Sequence, residues 1–486
     1  MLRAMRISLA AFCFAGFCLL FLDVSGFFPQ KLAFLAKMQF VPALLSESFL
    51  IVAALVALTL LFGRVFCSTL CPLGVLQDVL SRLGGKRRFR FSRNRPWLRT
   101  VALLVFLLAF LTEASTLFSL LEPYSAFGRI AASLLAPFWL AGNNILAHVS
   151  EWAGNFVVGP APAREAGAAS LAAAGVTLGV VGVLAVRAGR TWCNTLCPVG
   201  AVLGCLHRFA LFRPRIALDR CARCGACATT CKAACIDAAH MVMDSSRCVA
   251  CFNCVNNCPN QAISCAPPSR SGPNTAREAA GPDPSRRAFI TAGLSLAGFP
   301  TVAAARNPDD RPPDLSPKKR PNRETPIAPP GSTGLRAFME HCTGCLLCAS
   351  SCPNQVLSAD DRGPAALRPV MSFERGFCRV NCISCSLVCP TGAIRPIAKE
   401  LRSSIQVGRA IVDQERCIVT TDKETCTACF RACPTGALAL AGADGKIKRP
   451  AVDQERCIGC GACEYVCPAR PMSAIRVEGN LEHRRV

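Results

Sequence analysis

The chain has 486 residues, enough for several domains, with 33 cysteines, five histidines and a formal net charge of +23. Most cysteines fall in tight groups two or three residues apart, which excludes a scattered disulfide framework and points to metal ligation. The basic excess flanks apolar stretches without an aromatic-interleaved patch, which argues against a nucleic-acid partner, and no Cys-x-x-Cys-His occurs, which excludes covalent c-type haem.

Apolar residues concentrate in the first two hundred positions, where residues 7–28, 47–66, 97–121 and 168–186 are each long and apolar enough to cross a bilayer. The first is not a cleavable signal, because it contains Asp23 and is followed by further spans. Arg3 and Arg6 precede it, and eight Arg and Lys residues between Arg82 and Arg99 crowd the loop between the second and third spans. The positive-inside rule makes both regions cytoplasmic and puts residues 122–165 outside, with Arg187, Arg190, Arg208, Arg213 and Arg215 marking the return. The prediction is a four-helix transmembrane domain over residues 1–215.

An internal repeat lies within that domain. Gly63-Arg-Val-Phe-Cys67-Ser-Thr-Leu-Cys71-Pro-Leu-Gly74 matches Gly189-Arg-Thr-Trp-Cys193-Asn-Thr-Leu-Cys197-Pro-Val-Gly200. Each copy follows an even-numbered span, so both turns reach the cytoplasmic face. Four thiolates there can hold iron, a small cluster or a redox-active disulfide, or can merely end two helices in Cys-Pro turns. Cys13 and Cys18, inside the first span, read as packing residues.

Residues 216–268 carry two ferredoxin motifs, Cys221, Cys224, Cys227 and Cys231, then Cys248, Cys251, Cys254 and Cys258 with Pro259. Cys-x2-Cys-x2-Cys wraps three thiolates around one [4Fe–4S] cube, and in two-cluster ferredoxins the fourth Cys ligates the other cube. Crossing gives Cys221, Cys224 and Cys227 with Cys258, and Cys248, Cys251 and Cys254 with Cys231. Lys232 stands where Pro is usual, and Cys235 competes with Cys231 for that position.

Residues 269–332 form a linker rich in Pro, Ser and Gly around an apolar run at 288–305. Residues 333–486 hold four more groups: Cys342, Cys345, Cys348 and Cys352; Cys378, Cys382, Cys385 and Cys389; Cys417, Cys426, Cys429 and Cys433; Cys457, Cys460, Cys463 and Cys467. Pro353, Pro390, Pro434 and Pro468 close them. A repeated Val-Asp-Gln-Glu-Arg-Cys frame makes Cys417 the equivalent of Cys457, so the wide gap before Cys426 is an inserted loop. The fold class is membrane α-helical plus α+β ferredoxin-like domains, and the cofactors are six [4Fe–4S] clusters. Zinc, which also takes four thiolates, lacks this Cys-Pro exchange pattern.

At these residues the chain resembles a fusion of two families. Residues 1 to about 265 resemble the NapH-type membrane subunit of quinol dehydrogenases, and residues from about 285 onward resemble the NapG/MauM-type periplasmic ferredoxin subunit. Ser285-Arg286-Arg287-Ala-Phe289-Ile resembles a Tat signal, which would export residues 333–486 with their clusters in place and leave 216–268 cytoplasmic. The resemblance implies quinol oxidation and electron delivery to a periplasmic cytochrome or reductase such as a nitrate reductase system. A polyferredoxin that supplies electrons for maturing or regulating a partner metalloenzyme is the alternative, and turnover with a quinol analogue separates the two. Quinol oxidation releases protons, and the acids in the outer thirds of the spans, Asp23, Glu47 and Glu113, are the candidate acceptors, with Glu122 just beyond.

Overall fold

The computed structural model describes residues 2–23, 27–85, 89–112, 115–154, 159–161, 164, 166–266, 318–361, 365–441 and 449–486. The twin-arginine-like segment, the apolar run after it and Glu113 lie outside these residues.

The described residues up to His207 fold mainly as helices. α1 (Leu2–Leu22) buries Ala10, Cys13, Phe17, Leu20 and Phe21 along one stripe, the spacing of a helix that meets a core on one side. α2 (Phe27–Lys37) and α3 (Phe40–Leu45) form a short hairpin whose tip residue Gln39 donates from Nε2 to the Leu70 carbonyl at 3.2 Å. α4 (Phe49–Phe62) ends at Gly63, whose φ of 74° turns the chain into α5 (Val65–Thr69) and then α6 (Pro72–Leu83). The second half follows with α7 (Pro96–Leu111), α8 (Ser115–Leu121), α9 (Pro123–Arg129), a π-helical stretch (Ile130–Leu135), α10 (Ala136–Trp152), α11 (Ala168–Ala188), α12 (Thr191–Thr195) and α13 (Pro198–His207).

Among the described residues, three helical stretches are long and apolar enough to cross a membrane: Leu2–Leu22, Pro123–Trp152 and Ala168–Ala188. Two of the four predicted spans are thereby found at full length. The other two correspond to apolar helices of 14 and 16 residues, α4 and α7, because Gly63 and Thr112 end them early. Pro123–Trp152, within the 122–165 segment expected to lie outside, also has the length and apolarity of a crossing helix. It is a continuous helical rod with Pro123 at its start, where no amide is lost, and with a middle turn widened to a π-helix just before Pro137, which has no amide to donate.

Two β-containing modules follow the helices. In the first, β1 (Arg213–Ile216) pairs antiparallel with β4 (Ile263–Ala266), and β2 (Ile236–Asp237) with β3 (Val242–Met243). In the second, β5 (Leu357–Ala359) pairs with β6 (Pro369–Met371), β7 (Ile405–Val412) with β10 (Ile475–Arg485), and β8 (Leu438–Ala441) with β9 (Arg449–Val452), all antiparallel.

α11 fixes where the modules sit. At its start the Ala169 amide donates to the Asp361 carboxylate of the second module at 3.0 Å, and just past its end the Arg190 amide donates to the Lys232 carbonyl of the first at 2.9 Å. Its 21 residues rise about 31 Å. The two modules therefore lie at opposite ends of one helix that is as long as a bilayer core is thick.

Candidate metal centres

Local sequence shapes each cysteine loop. In four groups the residue after the second cysteine is left-handed: Gly225 at φ 70°, Phe252 at 57°, Leu346 at 62° and Gly461 at 77°. That reversal turns the backbone so that the third cysteine, on the short helix that follows, faces the first two. Where the first gap is longer, after Cys382 and Cys426, the corresponding Ile383 and Thr427 have φ near −125° and −124°, because the extra residues make the reversal unnecessary.

The cysteines gather in crossed sets. Cys221, Cys224, Cys227 and Cys258 line an empty space of about 360 Å³. Cys248, Cys251 and Cys254 share one of about 310 Å³ with both Cys231 and Cys235, whose sulfurs are 3.5 Å apart. In the second module Cys417, Cys426, Cys429 and Cys467 surround about 390 Å³, and Cys457, Cys460, Cys463 and Cys433 about 330 Å³. For the remaining pair, Cys342, Cys345 and Cys348 act electrostatically on Cys389, while Cys378, Cys382 and Cys385 act with Cys352.

These sets suit a multi-iron cube better than one ion. Tetrahedral zinc at about 2.3 Å from sulfur needs thiolates about 3.8 Å apart, and among the described residues no three Cys, His, Asp or Glu side chains close to single-ion spacing. Backbone amides point at crossed sulfurs: Ala262 to Cys258 at 3.2 Å, Ala474 to Cys467 at 3.3 Å and Ile394 to Cys389 at 3.5 Å. Such donors favour thiolate. Burial opposes it, pushing the Cys342, Cys429 and Cys460 thiols up to about 11, so these sites ionise fully only against a bound cation. Arg402, fully buried, adds a donor from Nη2 to Cys378 Sγ at 3.1 Å.

The sets form a series. The Cys378 amide donates to the Cys460 carbonyl at 2.9 Å, and Cys463 and Cys429 interact electrostatically, so the order runs from the Cys342 set through the Cys378 and Cys457 sets to the Cys417 set. The Cys342 set abuts the helical domain. A Cβ on Gly128 of α9 would strike the Cys345 carbonyl, and one on Gly344 would reach Ser119 Oγ at 3.0 Å.

Lys232 now has a reason to replace proline. Its amine ion-pairs with Asp78 of α6 at 2.9 Å, as does Arg190 at 2.9 Å, while Arg6 lies 3.5 Å away. Burial alone would raise the Asp78 carboxyl, but Arg190 and Lys232 hold it well below the usual carboxylate range. This group ties the first module to the helical domain.

The candidate proton acceptors are dispersed. The Asp23 carboxylate accepts from the Phe28 amide at 3.1 Å, Glu47 is exposed with φ 55°, and Glu113 is outside the described residues. Glu122, only adjacent to the predicted set, is the buried one: it caps α9, accepting from the Tyr124 amide at 3.0 Å and from the Ser125 amide. Sequence hydropathy had no means to find a polar space of about 510 Å³ between the π-helical stretch, α11 and the second module. Ser133, Ser170, Arg164, Ser350, Gln355 and Arg375 line it, and Arg164 Nη1 is buried there without a hydrogen-bond partner. The Asp23 carbonyl lies 3.5 Å from Arg164 Nη2.

Family models describe the two halves. A 4Fe-4S binding domain matches residues 47–90 and 170–217, and a 4Fe-4S dicluster domain matches 341–393 and 423–470. The chain is 32% identical over 161 residues to the methylamine utilization ferredoxin-type protein MauM of Methylobacillus flagellatus, covering 32% of this chain and 68% of that protein. It is 31% identical over 152 residues to the ferredoxin-type protein NapG of Escherichia coli, covering 29% and 65%. Similarity of 28% over 222 residues to the putative electron transport protein YccM of Escherichia coli covers 45% of this chain and 55% of YccM. No solved structure matches the chain.

Proposed function

The chain belongs to the ferredoxin-type iron–sulfur electron-transfer proteins that include MauM, and from that premise we propose that it is a membrane-bound quinol dehydrogenase module. The observation that carries this reading is the series of crossed cysteine sets that begins against the helical domain and runs outward through the second module. Six [4Fe–4S] clusters, each accepting and releasing single electrons, are the cofactors those sets are built to hold. The chain's own contribution is the spacing, the amide donors to crossed sulfurs and the buried arginines beside them.

The polar space at Arg164 supports the quinol part. It borders both a helix long enough to span the bilayer and the loop carrying Cys345, Cys348 and Cys352, so a head group held there would meet the first sets of the series. Arg164 offers a free donor to a quinol oxygen, and released protons would leave past Asp23 towards the outer surface. Placement of the modules at opposite ends of α11 favours a cytoplasmic first module and a periplasmic second one. The inner membrane is then the location, and a periplasmic cytochrome or reductase the acceptor.

Purified full-length protein in proteoliposomes tests the reading. A quinol analogue should bleach the visible absorbance of the clusters within seconds, and Arg164→Met should slow that bleaching while leaving reduction by dithionite unchanged. Clusters that respond to dithionite but never to quinol would sink the proposal in favour of an electron supply from a soluble donor for metalloenzyme maturation.

A further inference from the structure

The buried quartet Cys67, Cys71, Cys193 and Cys197 lies where the two repeats meet, with Arg64 donating to the Cys193 carbonyl at 3.0 Å and Arg190 to the Cys67 carbonyl. The matched 4Fe-4S binding domain spans those cysteines. A polar group that neither family model covers stands against the second module instead: the phenol of Tyr124, at the start of α9.

Local sequence fixes where this side chain goes. Pro123 starts α9 and Glu122 caps it, one carboxylate oxygen accepting from the Tyr124 amide at 3.0 Å and the other from the Ser125 amide. Gly128 follows four residues later, on the same face of the helix as Tyr124. That face meets the cysteine loop, since a Cβ on Gly128 would strike the Cys345 carbonyl and come within 3.0 Å of Phe21 Cζ. Phe17 and Phe21 of α1 flank the Tyr124 ring, each with its centroid 6.1 Å away. The phenol is therefore held between α1 and the loop of the Cys342 set.

Its hydroxyl lacks an ordinary acceptor. Tyr124 is 1% exposed, and Oη is buried with no hydrogen-bond partner among the described residues. Glu122 already has both carboxylate oxygens on backbone amides. A buried hydroxyl left unpaired carries a desolvation cost that phenylalanine, filling the same space beside Phe17 and Phe21, would not. What faces the hydroxyl is sulfur: Cys345, Cys389 and Cys348, three ligands of one crossed set, act on it electrostatically.

We infer that the Tyr124 hydroxyl donates a hydrogen bond to sulfur of the cluster that Cys342, Cys345, Cys348 and Cys389 hold, so that a residue of the helical domain completes the site of the first cluster in the second module's series. A hydrogen bond to cluster sulfur stabilises the more negative, reduced state and raises the potential. The centre that abuts the helical domain is then tuned by that domain and fills with electrons more readily than its own motif alone would allow. This holds whether the electrons come from quinol or from a soluble donor.

An EPR-monitored redox titration of the anaerobically purified full chain tests this, with the signal of the set assigned by its loss in Cys345→Ser. Tyr124→Phe removes one oxygen and should shift the reduction equilibrium of that signal about tenfold towards the oxidised form, a midpoint lower by about 59 mV. Iron content and the other signals should stay as they are. ENDOR after exchange into deuterium oxide should find one exchangeable proton fewer coupled to that signal in Tyr124→Phe than in wild type. The chain has only one other tyrosine, Tyr465, so Tyr465→Phe leaves Tyr124 as the sole phenol. Tyrosine labelled at its phenol oxygen should then couple to the same signal, a readout that needs no change at Tyr124. An unmoved midpoint, the same exchangeable protons in both proteins, a shift common to several signals, or no coupling from the labelled oxygen would each overturn the inference.

Discussion

Arg402 is the most direct handle on the second module's electronics. It lies in a short 3-10 turn (Glu400–Ser404), is fully buried, and donates from Nη2 to Cys378 Sγ at 3.1 Å. A cation beside a cluster ligand favours the more negative, reduced state, so removing it lowers the potential. Taking the transferred electron as about 6 Å from the guanidinium in a medium of effective dielectric constant about 20, the interaction is worth about 3 kcal/mol. A hydrogen bond to a charged acceptor contributes about 1.5–3 kcal/mol by mutational series, the same range. At 59 mV per 1.4 kcal/mol for one electron, Arg402→Met should lower the midpoint of the Cys378-set cluster by about 60–130 mV. An EPR-monitored redox titration reads the shift, with the signal assigned by its loss in Cys378→Ser. The exposed Arg395→Met is the control and should leave it unmoved. A change of under about 20 mV, or a rise, would refute the electrostatic account.

Crossed ligation predicts that Cys467→Ser perturbs the signal of the Cys417 set and Cys433→Ser that of the Cys457 set; effects confined to each residue's own motif would contradict the geometry. Asp78→Asn should destabilise the protein by about 3–5 kcal/mol, read as a lowered thermal midpoint, because Arg190 and Lys232 lose their shared buried counter-charge. Lys232→Met in the Asp78→Asn background should recover part of that loss. Since the Asp78 carboxyl is held below its unfolded value of about 3.9, its contribution should be constant above about pH 5 and fade only as pH falls below the unfolded value. Reporters fused at Arg208 and at Val486 should give opposite sidedness; equal sidedness would remove the membrane reading of α11.

Much of the site was legible because thiolate ligation imposes short, fixed spacings that a chain cannot disguise. The crossed sets are those spacings closed in space, and even the long gap between Cys417 and Cys426 is absorbed without losing the set. Membrane helices were less legible. The most apolar 18-residue stretch of Pro123–Trp152 has a mean hydropathy of 1.4 against 2.1 and 2.2 in the other two long helices, and Arg129, Asn143, Asn144, His148 and Glu151 punctuate the helix. Arg129 is nevertheless fully buried, with Nη1 on Ser119 Oγ and Nη2 on the Ser119 carbonyl at 2.8 Å, so a residue that hydropathy counts against a span is satisfied within the fold. Lys232 was illegible for a related reason: its departure from proline makes sense only beside Asp78, 154 positions earlier in the chain.

The repeat shows where reading along a sequence stops. Two copies of Gly-Arg-x-x-Cys are visible as similarity, but each arginine serves the other copy's cysteine, and that relation exists only once both are folded. Neither copy can satisfy its arginine alone. The first module meets both halves at once, the first through Lys232 on Asp78 and the Ser246 carbonyl on Arg64, the second through the Arg190 amide on the Lys232 carbonyl and Asn194 Nδ2 on the Ala233 carbonyl.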